Sequence, residues 1–396
     1  MDGRELPRPP RRVPAATGAL TQLQTSTPRT PEPPPRQPWM FGRILAGFLV
    51  LLLIVAGGAT AGWFVRAQSL KIDTPQVLES VGPSVVRVLA TTCEGTGEAS
   101  GVLTANGTVL TAASAVRQPL SIVIVTPDNR IRRANLLGSS ADGVAVLRLI
   151  GRLDNAPVPL AVTDPDPNAE RALIGYTAGG KQSIQSIGTT EHPRALSEIM
   201  NAAKLGGPVV DKAGQVVGLV VGDTVPASTI VGVDKLRGYV VPNAGGIAAD
   251  ADRVCVRSRG PQTGIVPELQ VASTPLAVDA QKLLGTYLTL ENRHDFEGLQ
   301  ALYSKRLAKT LTVDRDRESH QTSYFFGGKL VEVTRSGVDG ANARMTFTAL
   351  FSPNAKGSGG RPCNRLDLRY RLIRESGKLV IDQASSMVPA QSCDTD

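Results

Sequence analysis

Three histidines are the residues of this chain best suited to acid–base chemistry, because imidazole titrates near neutral pH. His192 precedes Pro193 in a predicted loop, and we interpret it as a solvated loop residue. His320 and Asp314 could contribute polar groups to a C-terminal pocket, but their flanking positions favour solvated side chains. The pattern predicts no acid–base pair, no metal site and no bound cofactor.

The four cysteines are Cys93, Cys255, Cys363 and Cys393. None forms a close C-x-x-C pair of the kind that binds zinc. An even number of cysteines outside the cytoplasm favours disulfides, and the simplest pairing lies within domains: Cys93 with Cys255, and Cys363 with Cys393. The sequence alone leaves other connectivities and free buried thiols open.

Three segments carry the most specific pattern. Residues 100–116 read SGVLTANGTVLTAASAV, residues 144–149 read VAVLRL, and residues 203–210 read AKLGGPVV, with GQVVGL following at 214–219. In order and spacing they resemble the trypsin-like serine proteases, closest to the HtrA type. The resemblance covers roughly half the chain and implies two β-barrels with a catalytic cleft.

The same resemblance places the triad positions on residues that cannot form a triad. Ser114 stands where the family has its histidine, Gly143 where it has the orienting aspartate, and Leu205 where it has the nucleophilic serine. Asp142 falls one residue early. Because side chains alternate along a strand, we expect Asp142 to point away from the cleft.

The oxyanion loop of the family corresponds to Ala203, Lys204 and Gly206, and Ala203 replaces a glycine that helps to form the oxyanion hole. A serine hydroxyl at position 114 cannot accept a proton near neutral pH, and Leu205 has no lone pair with which to attack a carbonyl. We therefore expect no catalytic residue at these positions.

Short β-rich runs separated by Gly, Pro, Asn and Asp fill residues 71–257, which predicts an all-β double barrel. By the resemblance, residues 238–242 form the last strand of the second barrel. A closing helix is expected over residues 243–249.

An uncharged apolar run over residues 44–65 is long enough to cross a hydrocarbon core of about 30 Å. Trp39 and Trp63 lie at its edges. Residues 1–43 are rich in proline and arginine, which predicts a disordered cytoplasmic tail and places the rest of the chain outside the cytoplasm. An A-x-A sequence at residues 59–61 leaves signal-peptide cleavage open, but the apolar run continues beyond it and favours a retained single-pass anchor.

A linker is predicted over residues 258–274, and residues 275–396 follow a different pattern. Apolar residues at helical spacing predict a helix over residues 276–291 and a second helix capped by Asp295. Strand-like runs follow at residues 321–326, 329–334, 343–351, 366–374 and 378–382. This order predicts an α+β domain, and residues 287–299 (YLTLENRHDFEGL) resemble the opening of NTF2-like domains, which implies a cone-shaped pocket.

The formal net charge is +8, but many of the arginines precede the apolar run, and aromatic residues make up only 4% of the chain. Without basic runs interleaved with aromatics, nucleic acid is not an expected partner.

We interpret the chain as a membrane-anchored pseudoprotease of the bacterial cell envelope, which acts as a sensor, scaffold or regulator. A cleft around Leu205 would hold an extended peptide or envelope protein beside residues 180–189 and 229–239. Two alternatives stay open: an active trypsin-like endopeptidase with a displaced site, and a small-ligand-binding protein that uses the C-terminal pocket.

Overall fold

The computed structural model describes residues 40–177, 179–240, 246–249, 255, 257–262, 264–356 and 358–394. Most of the predicted N-terminal tail, residues 1–39, lies outside this description. The chain divides into two compact units, Met1–Trp63 and Phe64–Asp396.

Helix α1 (Met40–Ser69) contains a 22-residue apolar segment, Leu45–Arg66, that is long and apolar enough to cross a membrane. This agrees with the apolar span predicted over residues 44–65. Helix α2 (Thr74–Val81) follows, and the Asp73 side chain caps it by accepting a hydrogen bond from the Gln76 N–H. Val77 and Val81 bury one face of α2.

Six antiparallel strands form a closed barrel: β1 (Val85–Thr92), β2 (Glu98–Thr104), β3 (Thr108–Ala112), β4 (Pro119–Val125), β5 (Ile131–Ser140) and β6 (Val144–Leu149). Their order is β5-β4-β1-β2-β3-β6, and the pairing of β5 with β6 closes the barrel. Val88, Leu103, Val109 and Leu147 fill its interior. Closure pairs each of the six strands with two neighbours and leaves no strand at a free edge.

A second sheet is built from β7 (Arg171–Tyr176), β8 (Gln182–Gly188), β9 (Pro208–Val210), β10 (Val216–Val221) and β11 (Thr229–Gly232), in the order β11-β10-β9-β7-β8. The short helix α3 (Leu196–Ile199) lies between β8 and β9, and α4 (Val233–Tyr239) follows β11. Strand β12 (Ile247–Ala248) returns to pair with β5 of the first barrel.

Two predictions at the end of this sheet were wrong. Residues predicted to begin the last strand, Gly238 and Tyr239, belong to helix α4, and the last strand of the sheet is β11. Residues 247 and 248, predicted to be helical, form β12, while residues 241–245 of the predicted strand and helix lie outside the described residues. Val233 and Leu236 are buried three residues apart on α4, so tertiary packing selected a helix that extends to Tyr239.

The C-terminal part begins with the short strand β13 (Glu268–Leu269) and then α5 (Pro275–Arg293), α6 (Phe296–Leu299), α7 (Lys305–Thr310) and α8 (Val313–His320). The predicted second helix starts where expected, since Asp295 caps α6 by accepting from the Gly298 N–H at 2.9 Å. It then breaks into a 3₁₀ turn, Gln300–Leu302, before α7. Helix α8 was not predicted from the sequence.

The strands that follow are β14 (Tyr324–Ser336), β15 (Gly340–Leu350), β16 (Cys363–Glu375), β17 (Lys378–Ser386) and β18 (Gln391–Ser392). Neighbouring strands from β14 to β17 are antiparallel, as the predicted α+β order requires. The runs predicted at residues 321–326 and 329–334 are a single strand, β14, whose pairing with β15 shifts register between Phe326 and Lys329. A bulge, not a turn, therefore separates them.

Part of the predicted linker over residues 258–274 is held by pairing. Arg259 and Thr92 exchange two backbone hydrogen bonds, of 2.7 and 2.8 Å, and the Tyr324 hydroxyl donates to the Ser258 carbonyl at 2.8 Å. Strand β13 also pairs in parallel with β14. These contacts attach the C-terminal sheet to β1 of the barrel.

The disulfides are Cys93–Cys255 and Cys363–Cys393, with Cα–Cα distances of 5.7 and 5.5 Å. This pairing is the one predicted within domains. The first bond closes a loop between positions 162 residues apart and the second between positions 30 residues apart.

Removal of the first disulfide through Cys93→Ala with Cys255→Ala should lower the free energy of unfolding of the barrel region by about 2–4 kcal/mol, because the unfolded chain regains loop entropy. Urea denaturation followed by circular dichroism measures this change. Non-reducing peptide mapping supplies the control, and a cross-linked peptide that joins Cys93 to Cys363 or Cys393 would contradict the pairing.

Candidate functional site

The three positions predicted to be equivalent to a triad lie near one end of β10. Ser114 donates its hydroxyl hydrogen to the Gly222 carbonyl at 2.6 Å. A Cβ atom at Gly143 would lie 3.6 Å from the Val221 Cβ. The Gly206 N–H, next to Leu205, donates to the Val220 carbonyl at 2.6 Å. Segments far apart in sequence thus converge as they must for a triad, although their side chains differ from one.

Ser114 lies in the 3₁₀ turn Ala113–Ala115 that follows β3, and it is buried. Its hydroxyl is bound to the Gly222 carbonyl, and its own carbonyl accepts from the Thr96 N–H at 2.9 Å. A serine hydroxyl cannot accept a proton near neutral pH as an imidazole does. The Ser114 side chain therefore holds the turn against the end of β10 and does not supply a base.

Gly143 lies in the turn between β5 and β6 with φ +85°, a conformation that favours glycine. The sequence analysis placed Asp142 on a strand, but it belongs to the same turn, because β6 begins at Val144. The Asp142 carboxylate binds the Lys235 ammonium at 2.7 Å and the Tyr239 hydroxyl at 2.6 Å. These two hydrogen bonds lower the pKa of Asp142, and they direct its side chain to helix α4.

Leu205 is only 1% exposed, so the predicted cleft is not open at this side chain. It packs in an apolar cluster with Ala112, Ala161, Leu173, Ile187, Val209, Val217, Val220 and Val233. Half-buried side chains from α3 and its C-terminal end, Leu196, Ile199 and Met200, pack against the same cluster. A leucine gains free energy by leaving water, and the neighbouring valines offer it an apolar site. The position has become part of the core.

The oxyanion-loop positions form a tight 3₁₀ turn, Ala202–Lys204, capped by the Asn201 side chain. Within it the Leu205 N–H donates to the Ala202 carbonyl at 3.2 Å, so this amide is not free to stabilise an oxyanion. Ala203 is buried, and its carbonyl accepts from the Ser100 hydroxyl at 2.6 Å. The turn is thus held by a hydrogen bond of its own and by one from β2.

Lys204 and Gly206 each have a structural role in this loop. The Lys204 ammonium donates to the Ile199 carbonyl at 2.7 Å and to the Gln185 side chain, and burial lowers its pKa. Gly206 has φ +78°, and a Cβ atom there would lie 2.6 Å from both the Ala112 nitrogen and the Thr111 Oγ1. Only glycine fits this position.

The histidines have different environments. His192 lies in an exposed loop, as predicted, whereas His294 is a left-handed helix cap with Nε2 3.2 Å from the Ser323 carbonyl, and burial lowers its pKa. Asp314 is exposed and binds Arg317 at 2.8 Å. His320, predicted to be solvated, is half-buried beside two carboxylates.

These carboxylates belong to Glu291 of α5 and Asp316 of α8, which the sequence analysis missed. Burial raises the pKa of Glu291 to about 7. Burial opposes protonation of His320, but Glu291 and Asp316 together raise its pKa to about 9. The spacing of Asp316 and His320, four residues apart, was the signal available in the sequence, since such residues share a helix face.

The family model for the trypsin-like peptidase domain matches residues 99–219. This segment runs from β2 to β10 and contains Ser114, Gly143 and Leu205, so the match supports a trypsin-like fold for the region that carries the candidate site. No curated protein matches the chain.

Solved structures similar to this chain include the active form of the Rv3671c protease from M. tuberculosis. It is 21% identical, with 44% of this chain and 86% of that chain covered and a TM-score of 0.37. The serine endoprotease from Yersinia pestis is 22% identical, with 42% of this chain and 64% of that chain covered and a TM-score of 0.35.

Replacement of Leu205 should destabilise the second sheet. Leu205→Ala leaves a cavity and should lower the free energy of unfolding by about 2–5 kcal/mol. Leu205→Asp buries an unpaired charge and should prevent stable folding of this region. Thermal and urea unfolding followed by circular dichroism measure both effects. The exposed Val162→Ala is the control, with a change within about 0.5 kcal/mol, and a wild-type melting curve for Leu205→Asp would contradict burial of this side chain.

Proposed function

We propose that this chain is a membrane-anchored pseudoprotease, in which a trypsin-like region without hydrolytic activity binds an extended peptide or an envelope protein. The observation that carries the proposal is the convergence of Ser114, Gly143 and Leu205 on the end of β10. The three positions lie together although they are far apart in sequence, and none of their side chains is a base or a nucleophile of the triad kind. An NTF2-like C-terminal domain completes the proposed architecture.

The loss of catalysis follows from three deficits. Hydrolysis by this class of site needs a base, a nucleophile and an oxyanion hole. Ser114 cannot act as the base, and Leu205 cannot act as the nucleophile. The Leu205 N–H, which would serve the oxyanion hole, is bound to the Ala202 carbonyl. A single substitution would therefore leave at least two of these parts missing.

Peptide binding needs neither a nucleophile nor a base. The second sheet has two edge strands, β8 and β11, which lie within the segments predicted to flank the cleft. An edge strand presents backbone N–H and C=O groups that can pair with an extended partner. Because Leu205 is buried, we assign binding to these edges and not to the Leu205 side chain. Thr229 of β11 is exposed and marks an accessible edge.

The apolar helix and the disulfides support an extracytoplasmic location for the trypsin-like region and for the C-terminal part. Leu45–Arg66 can span a hydrocarbon core, and arginines dominate the sequence on its N-terminal side. Disulfides persist in oxidising compartments. We infer a single-pass topology with the N-terminus in the cytoplasm and both folded regions outside, as a sensor, scaffold or regulator in the cell envelope.

The purified full chain in detergent micelles should not react with a fluorophosphonate probe and should not hydrolyse casein between pH 5 and 9. Leu205→Ser should also stay unlabelled, because no base deprotonates the introduced hydroxyl. The addition of Ser114→His and Gly143→Asp should give at most weak labelling, since position 143 has a positive φ and the oxyanion turn is internally bonded. Stoichiometric labelling of any wild-type serine would instead establish an active endopeptidase with a displaced site.

A photo-crosslinking amino acid at Thr229 or Ser186, on the two edge strands, should capture the same partner in intact membranes. The matched control is Val162, which is 81% exposed and lies outside both strands. After identification, a peptide of the partner should protect edge-strand amides from hydrogen exchange. Equal capture from Val162, or no capture from either edge, would indicate that this region is a structural spacer.

A further inference from the structure

Two helices of the C-terminal part bring three potential ligands together. Glu291 lies near the end of α5, whose Ala280, Leu284 and Leu288 are buried in the C-terminal core. Asp316 and His320 lie one helical turn apart on α8. The packing of α8 near the end of α5 therefore determines the cluster, and none of its members belongs to the trypsin-like region.

The distances fit a common cation. His320 Nδ1 is 2.9 Å from Asp316 Oδ1 and 3.7 Å from Glu291 Oε1. One ligand atom from each residue lies within 4.8 Å of the others. Metal–ligand bonds of about 2.0–2.1 Å place tetrahedral ligand atoms about 3.3 Å apart. This separation lies between the 2.9 and 3.7 Å found from His320 Nδ1 to the two carboxylates.

The Glu291 carboxylate is buried without a hydrogen bond of normal geometry. The residue is 0% exposed, and neither carboxylate oxygen has a hydrogen bond of normal geometry among the described residues. The Tyr287 side chain and the His320 ring, 3.7 Å away at Nδ1, both favour its charged form without completing such a bond. The buried Tyr370 hydroxyl also lacks a partner. Buried polar groups are costly when unpaired, so an unpartnered carboxylate beside a histidine and a second carboxylate indicates a missing ligand.

The other side of the cluster is already held in place. Asp316 is 0% exposed, and its Oδ2 accepts from the Tyr303 hydroxyl at 2.7 Å, while Oδ1 faces His320. Such outer hydrogen bonds fix the orientation of a coordinating carboxylate. The His320 side chain is 30% exposed and gives the cluster a route to solvent.

We propose that Glu291, Asp316 and His320 bind one divalent first-row transition-metal cation, such as Zn²⁺ or Mn²⁺. Carboxylate and imidazole ligands suit these ions, whereas Mg²⁺ and Ca²⁺ prefer oxygen alone. With neutral imidazole, two carboxylates and one dication sum to zero charge, which resolves the burial of two acids. The sequence did not predict this site because its ligands come from separate helices without a metal-binding motif.

The test uses the purified full chain in detergent micelles, stripped with a chelator and titrated with Zn²⁺, Mn²⁺ and Mg²⁺ by calorimetry. Wild type should bind one equivalent of Zn²⁺ or Mn²⁺ in preference to Mg²⁺. Glu291→Gln and Asp316→Asn should each weaken binding by at least about 100-fold, and Tyr303→Phe by about 10-fold. Glu318→Gln changes an exposed acid of the same helix, and its affinity should equal that of wild type.

Glu291→Gln preserves side-chain shape and removes a buried charge, so the metal-free variant should fold, which circular dichroism verifies. The proposal is overturned if wild type shows no saturable binding or if Glu291→Gln binds as well as wild type. If wild type shows no saturable binding, a protonated, neutral Glu291 would leave the Asp316 carboxylate balanced by the His320 imidazolium. An infrared carboxylic-acid band that is present in metal-free wild type and absent from Glu291→Gln would identify that state.

Discussion

The backbone of residues 203–207 is bonded between the two sheets of the trypsin-like region, and the rest of that region depends on this connection. Ser100 of β2 donates its N–H to the Leu205 carbonyl at 2.8 Å and its hydroxyl to the Ala203 carbonyl at 2.6 Å. The Tyr176 N–H donates back to the Ser100 hydroxyl at 2.8 Å. On the other side, Gly206 and Gly207 pair with Val220. Buried backbone groups are thereby satisfied in both sheets.

None of these bonds uses the side chain at position 205, so the backbone of the loop is held independently of that side chain. A change at position 205 alters packing and leaves the loop hydrogen bonds in place, whereas any side chain at Gly206 would collide with Ala112 and Thr111. Leu205 then contributes apolar contacts where a serine would not.

The C-terminal part is tied to the barrel by both apolar and polar contacts. Leu89 and Val123 of the barrel share a cluster with Phe326, Leu350 and the Cys363–Cys393 disulfide. The Arg133 guanidinium binds the Asp394 carboxylate at 2.6 Å. Arg259 also pairs with Thr92. The C-terminal part is therefore packed against the barrel and is not joined to it by a flexible linker alone. A ligand bound in one region can therefore affect the stability of the other.

The sequence by itself determined the apolar span and the β-rich character of the region that follows it, since these depend on local pattern. It favoured the disulfide pairing that the structure shows, although other connectivities stayed open. A second closed barrel was also predicted, but among the described strands the second sheet ends in two edges, β8 and β11. The sequence did not determine that residues 233–239 form a helix, because burial of Val233 and Leu236 overrode local β-propensity. Tertiary structure alone decided that Leu205 is core and that Glu291 meets His320. Both outcomes depend on which distant segments pack together, and side-chain spacing along the chain carries no record of that packing.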